Sequence, residues 1–281
     1  MIRRRTALAL PALVLPALAA LPRPAAAALD LPRAGLAQGG FVAGRVPPGI
    51  ALALEGRALR IGPRGEYAFG FGRDHGPQAM LSVTPPGGRP SRQRLAIARR
   101  QWNIQRLEGL PGAMVTPPPE TMERIVRERE KLAALRRTDS ATPHFAAGFR
   151  WPATGRISGV YGSQRILNGE PRAPHLGLDI AVPTGTMLHA AAAGEVLLAE
   201  DLYFTGLTTI LDHGHGVQTL YAHMSQLDLA PGQRVAAGEP IGRSGATGRV
   251  TGPHLHFGLS WFATWLDPQR VLPPGAGKGA G

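Results

Sequence analysis

The octapeptide Gly252-Pro253-His254-Leu255-His256-Phe257-Gly258-Leu259 alternates apolar and polar side chains with a period of two. That is the period of a β-strand: Leu255, Phe257 and Leu259 fall on one face, and His254, His256 and Gly258 on the other. Two imidazoles on one strand face can converge on a single centre, where one binds a metal and the other addresses what the metal holds. Gly258 beside them is expected to leave room for a ligand or another backbone. A His-x-His alone is common by chance, so its weight depends on what accompanies it.

Two further stretches accompany it. In Pro174-His175-Leu176-Gly177-Leu178-Asp179-Ile180-Ala181-Val182, Gly177 and the β-branched continuation argue against a helix and for a turn entering a strand. A histidine and a carboxylate here, with a second histidine elsewhere, make the two-His-one-carboxylate set of catalytic zinc sites, although His-Asp pairs are more often plain hydrogen bonds. In Thr219-Leu220-Tyr221-Ala222-His223-Met224, alternation puts Thr219, Tyr221 and His223 on one strand face. A histidine at a strand end suits acid–base work because its pKa lies near neutrality. In isolation, a packed core histidine is the commoner outcome.

Around these stretches the second half reads as short strands at Val196–Ala199, Leu207–Leu211, Gln218–Ala222, Arg234–Ala236 and His254–Leu259. Pro183-Thr184-Gly185, Asp212-His213-Gly214 and Ala230-Pro231-Gly232 mark turns between them, and no helical period appears. Residues 39–100 show the same texture, with apolar runs at Phe41–Val46, Ile50–Leu54, Leu59–Ile61, Tyr67–Phe71 and Met80–Val83. The fold class expected is all-β, with a small β-sandwich module ahead of a second β-domain. Between them, Glu120–Arg137 has helical spacing, with Met122, Ile125, Val126, Leu132, Ala133 and Leu135 on one side. A linker helix packed on its own protein is expected.

The 281 residues contain no cysteine, which excludes disulfides, thiolate zinc sites, iron–sulfur clusters and a cysteine nucleophile. Any metal must be held by His, Asp or Glu. Gly (37) and Pro (27) approach a quarter of the chain, but 43% hydrophobic residues suffice for a real core. The net charge of +12 is uneven: residues 28–142 carry +8 and residues 143–272 carry −1. A nucleic-acid binder would put its basic stripe on its recognition element, so no nucleic-acid partner is expected. Arg3-Arg4-Arg5, the apolar run from Ala7 to Leu21 and the small residues Ala25–Ala28 have the layout of a cleaved export signal. The run is too short and too proline-broken for a membrane span.

In combination, His175-x-x-x-Asp179, Tyr221-Ala222-His223 and Gly252-Pro253-His254-Leu255-His256-Phe257, in that order on an all-β background, resemble the M23 (lysostaphin/LytM-type) family of zinc endopeptidases of bacterial cell walls. The likeness runs from Phe149 to Leu272 and includes Trp151-Pro152, Gly155-Arg156-Ile157-Ser158, Gly185-Thr186, Asp212-His213-Gly214 and Gly245-Ala246-Thr247-Gly248. The resemblance implies an antiparallel β-sandwich catalytic domain in which His175, Asp179 and His256 bind Zn2+ and His223 and His254 are the catalytic histidines. All five positions carry the family's residue type, whereas members acting only as activators of other wall hydrolases have typically lost several. His213 is expected to be structural, and His144, His189 and His215 to have no role in the site.

The substrate implied is the stem-peptide cross-link of peptidoglycan, cut by a DD-endopeptidase in the periplasm. The alternative is a non-catalytic LytM-like activator. The organisation expected is an export signal at 1–27, an accessory β-domain at 28–116, a helical linker at 117–142, the catalytic domain at 143–272 and a disordered Gly-rich tail at 273–281. The Ile104-Gln105-Arg106 and Gly109-Leu110-Pro111 stretches resemble the N-terminal extension of exported Gram-negative members.

Overall fold

The structure is a computed structural model and describes residues 29–107, 119–167, 169–250 and 252–275. The expected export signal, Gly109-Leu110-Pro111, Pro117-Pro118 and the tail from residue 276 lie outside the described residues.

Among the described residues seven strands precede the helix: β1 (Phe41–Arg45), β2 (Ala51–Leu54), β3 (Arg57–Ala58), β4 (Glu66–Gly70), β5 (Gln78–Thr84), β6 (Ser91–Ala96) and β7 (Ile104–Leu107). β1 pairs with β4, and β3-β2-β5-β6 form a four-stranded antiparallel sheet. The strand expected at Leu59–Ile61 is instead Arg57–Ala58. Glu55 and Gly56 both have positive φ (48° and 82°), so the hairpin closes in two residues and pairing resumes at once with Leu54 opposite Arg57. Leu59 then drops into the core.

Helix α1 (Pro119–Leu135) lies against the second half of the chain. Only part of the expected apolar side is covered. Ile125 is buried and Leu132 and Leu135 pack on Leu198, Leu202, Ile210, Leu220 and Ala222, while Met122 and Val126 stay exposed. Polar anchors explain the rotation. Arg124 bonds Glu128 and Asp201, Lys131 pairs with Glu200 at 2.7 Å, and Gln218 Nε2 donates to the Leu135 carbonyl at 2.7 Å.

The second half contains β8 (Arg156–Gly159), β9 (Gln164–Leu167), β10 (Glu170–Pro171), β11 (Leu178–Ala181), β12 (Met187–His189), β13 (Gly194–Leu202), β14 (Gly206–Asp212), β15 (Val217–Leu227), β16 (Arg234–Val235), β17 (Pro240–Ser244), β18 (Leu255–Trp261) and β19 (Thr264–Leu266). Ten of them form one antiparallel sheet with the path β16-β13-β14-β15-β18-β11-β8; β12, β17 and β19 branch from it. The protein is therefore mostly β, in antiparallel sheets, with one α-helix among the described residues.

Alternation alone would leave one face of β15 wet, yet its first eight residues are all buried. Its Leu220 and Ala222 side faces α1, and its Tyr221 side faces the main core. That core runs without a break from Val42, Phe69 and Leu81 through Phe145 and Phe149 to Leu178, Tyr221 and Phe257. Two further ties cross between the halves. Arg100 reaches buried Asp267 at 2.7 Å, and β7 pairs in parallel with β9 to make the sheet β10-β9-β7.

Candidate metal centre

β11 and β18 are antiparallel neighbours with Asp179 opposite His256. Side chains directly opposite on one face stand close enough to touch, and His256 Nδ1 lies 2.8 Å from Asp179 Oδ1. His175 enters from the turn ahead of β11, with Nε2 3.0 Å from the same carboxylate oxygen and 3.1 Å from His256 Nδ1. The three donor atoms thus close a triangle.

Hydrogen bonds orient these side chains. The Nδ1–H of His175 donates to the Val160 carbonyl at 3.0 Å, so Nε2 turns a lone pair inward. Three electron-rich atoms facing one another repel unless a cation sits among them or a proton is shared. Ligand atoms sharing a zinc ion at about 2.0–2.1 Å stand about 3.3 Å apart, close to this triangle. The backbone makes room for the same arrangement. A Cβ on Gly159 would come within 2.2 Å of Asp179 Oδ2, and one on Gly177 within 2.5 Å of His256 Cε1. The residues present fit a zinc ion. Burial opposes ionisation of Asp179, but its hydrogen bonds to His175 and His256 and their charge prevail and hold the carboxyl well below its ordinary range. Burial likewise disfavours the charged form of His175, and its bond to Asp179 raises its pKa on balance.

His223 reaches this centre by a route that strict alternation misses. Tyr221 pairs with Phe257 on the core face and Ala222 with His256 on the site face, so alternation returns His223 to the core. Instead His223 has φ of 61°, and the register with β17 shifts just beyond it, between Met224 and Gln226. This break turns the imidazole to the site and sends Met224 into the core. The ring centroid lies 4.9 Å from that of His254 and 6.0 Å from that of His256. The Nδ1–H of His223 donates to the Thr247 carbonyl at 2.8 Å, and burial pushes its pKa down to about 4. His254 is held similarly, with Nδ1 2.8 Å from the Gly252 carbonyl and Nε2 3.8 Å from Asp179 Oδ1.

All five expected site residues therefore meet in one place. Gly258 does not leave open space: a Cβ there would meet Trp265 at 2.7 Å, and the indole fills the gap beneath the Arg136 guanidinium, 4.0 Å from the ring centroid. His213 is fully buried, with Nδ1 2.7 Å from the Ala193 carbonyl and Nε2 2.7 Å from Thr219 Oγ1. His215 meets the Phe145 ring edge-on, and His144 and His189 lie outside the His175–Asp179–His256 triangle. Thr247 and Val160, whose carbonyls orient the imidazoles, carried no sequence signal as site residues, because a carbonyl contact is indifferent to the side chain beside it.

Residues 173–268 match the model of peptidase family M23. The chain is 40% identical over 105 residues to the peptidoglycan DD-endopeptidase ShyA of Vibrio cholerae, covering 37% of this chain and 24% of the relative. It is 45% identical over 100 residues to the DD-carboxypeptidase/endopeptidase Mpg of Neisseria meningitidis, covering 36% and 23%. The chain thus spans about a quarter of the length of these curated relatives. A Pseudomonas aeruginosa crystal structure described as a peptidase M23 superposes with a TM-score of 0.67 at 28% identity, over 85% of this chain and 96% of that one.

Proposed function

We propose that this protein is an exported zinc endopeptidase that hydrolyses peptide cross-links of bacterial peptidoglycan, as a DD-endopeptidase working in the periplasm. The observation that carries the reading is the convergence of His175, Asp179 and His256, with His223 and His254 beside them. The family match, the names of the relatives ShyA and Mpg, and the export-signal layout at 1–27 support the substrate and the compartment. Among the described residues no helix is long and apolar enough to cross a membrane.

His175 Nε2, His256 Nδ1 and the Asp179 carboxylate would hold the ion. When bound, zinc supplies Lewis acidity, lowering the pKa of water toward about 7 and polarising the scissile carbonyl. His223 is kept neutral by burial and has its Nδ1–H engaged by Thr247, so Nε2 is free to take the proton of the attacking water. The proton taken by His223 then passes to the leaving amine, and the His254 ring, with Nε2 turned toward Asp179, stands beside the oxygen on which charge develops.

The test is zinc content together with release of soluble muropeptides from purified sacculi, for the wild type and His256→Ala. One zinc per chain with muropeptide release, both lost in the variant, is the expected result, and mass spectrometry then names the bond cut. A wild type that holds no zinc and releases nothing would overturn the reading in favour of an activator of another wall hydrolase.

A further inference from the structure

The backbone around His175 is a collar made by residues 160–164. Besides the bond from His175 Nδ1 to the Val160 carbonyl, Gly162 N donates to the His175 carbonyl at 2.7 Å and His175 N donates to the Ser163 carbonyl at 2.8 Å. Ser163 Oγ closes the collar on the Val160 carbonyl at 3.0 Å. Nothing in this short loop is regular structure until β9 begins at Gln164, so what fixes it must come from outside it.

The outside support comes from the segment before α1. Arg73 is buried, and its guanidinium spreads three donors: Nε to the Gly162 carbonyl at 2.9 Å, Nη2 to Gln164 Oε1 at 3.1 Å, and Nη1 to Asp74 at 2.6 Å. Trp102 closes the other side. A Cβ on Gly162 would lie 2.1 Å from the indole, so only glycine lets the ring approach, and Gly162 also has φ of 86°. Arg100 and Arg73 both stand over that indole, 4.5 and 5.3 Å from its centroid, and Tyr161 meets it edge-on at 5.7 Å. Gln164 N donates to the Asn103 carbonyl at 2.9 Å, and β7 continues the seam along β9. Two of the collar's residues are thus gripped by a rigid fork and a flat ring that belong to the first half of the chain.

We propose that Arg73 and Trp102 are positioning residues for His175, so that the module ahead of the helix is a working part of the metal centre. They act through the 160–164 collar and touch neither metal nor substrate. The proposal rests on the reading of His175 as a metal ligand, but its first consequence precedes any metal. Without Arg73 the collar loosens, and the two amides that clasp His175 open more often.

The experiment uses the full chain carrying Arg73→Ala or Trp102→Ala, stripped of metal, and follows amide hydrogen exchange. Exchange at Gly162 and His175 is expected to accelerate by about tenfold or more while the amides of β15 and β18 keep wild-type rates. Zinc competition against a chelator is then expected to show affinity lowered by about 10- to 100-fold, the range for losing a group that orients a ligand. Unchanged exchange at both amides in both variants would overturn the proposal, and so would acceleration spread equally over β15 and β18. Should the wild type bind no zinc, the metal reading fails separately, and the exchange in metal-free protein still decides whether Arg73 and Trp102 hold the collar.

Discussion

Replacing Gly177 by alanine tests the site with a single methyl group. Gly177 is buried, and its added Cβ would lie 2.5 Å from His256 Cε1, 2.7 Å from Nε2 and 2.9 Å from the Phe257 carbonyl oxygen. Carbon–carbon contact is comfortable only near about 3.5 Å, so the imidazole must retreat by about 1 Å. The Phe257 oxygen cannot yield as easily, because Phe257 pairs with Leu178 in the ladder that sets Asp179 opposite His256. Either response opens the triangle in which His256 Nδ1 stands 2.8 Å from Asp179. Overpacking of this kind destabilises by about 1–3 kcal/mol, and a misplacement of about 1 Å at a catalytic centre lowers turnover by about 100-fold. The assays are zinc stoichiometry, muropeptide release and thermal unfolding, with Gly76→Ala as the control because no atom lies within 4 Å of its added Cβ. A Gly177→Ala protein with full zinc and wild-type release would refute the steric reasoning.

Two other outcomes follow from the buried polar network and from acid titration. Tyr221 Oη accepts from Ala191 N at 2.7 Å and lies 3.1 Å from Thr219 Oγ1, so Tyr221→Phe strands a buried donor and is expected to lower stability by about 1–3 kcal/mol in urea unfolding, with zinc content retained; a loss under 0.5 kcal/mol would sink the network argument. His213 is fully buried and neutral, with its pKa pushed down by burial to about 4 from an ordinary 6.5, so the unfolded chain takes up a proton that the folded one refuses. Stability is complete above about pH 6.5 and falls on the order of 3 kcal/mol by pH 4. Burial of His215 adds to this, and the raised pKa of buried Asp212 opposes it. Urea midpoints that stay flat from pH 7 to pH 4.5 would contradict this account.

Much of the architecture was legible because it is written in local periodicity. The alternation around His254 and His256, the turns at Asp212-His213-Gly214 and Ala230-Pro231-Gly232, and the helical spacing from residue 120 all report structure through near neighbours. The strand β3 escaped notice because its start depends on two positive φ angles at Glu55 and Gly56, and the apolar Leu59 beyond it imitated a strand. Met122 and Val126 seemed to belong to the buried side of α1, but the rotation of a helix is settled by what it docks on, here Asp201, Glu200 and Gln218.

For the centre itself, residue types and order along the chain were enough to bring His175, Asp179, His223, His254 and His256 forward as candidates, because the chemistry of imidazole and carboxylate belongs to the side chain wherever it sits. What only the tertiary structure decided is how they meet. Alternation points His223 away from His256, and it takes a left-handed residue inside β15 to bring it round. Gly258 seemed to offer space that Trp265, brought back by β19, already occupies. The grip of Arg73 on the collar of His175 joins residues about 90 positions apart; nothing in a local pattern encodes such a contact, since it exists only once the two halves have packed on one core.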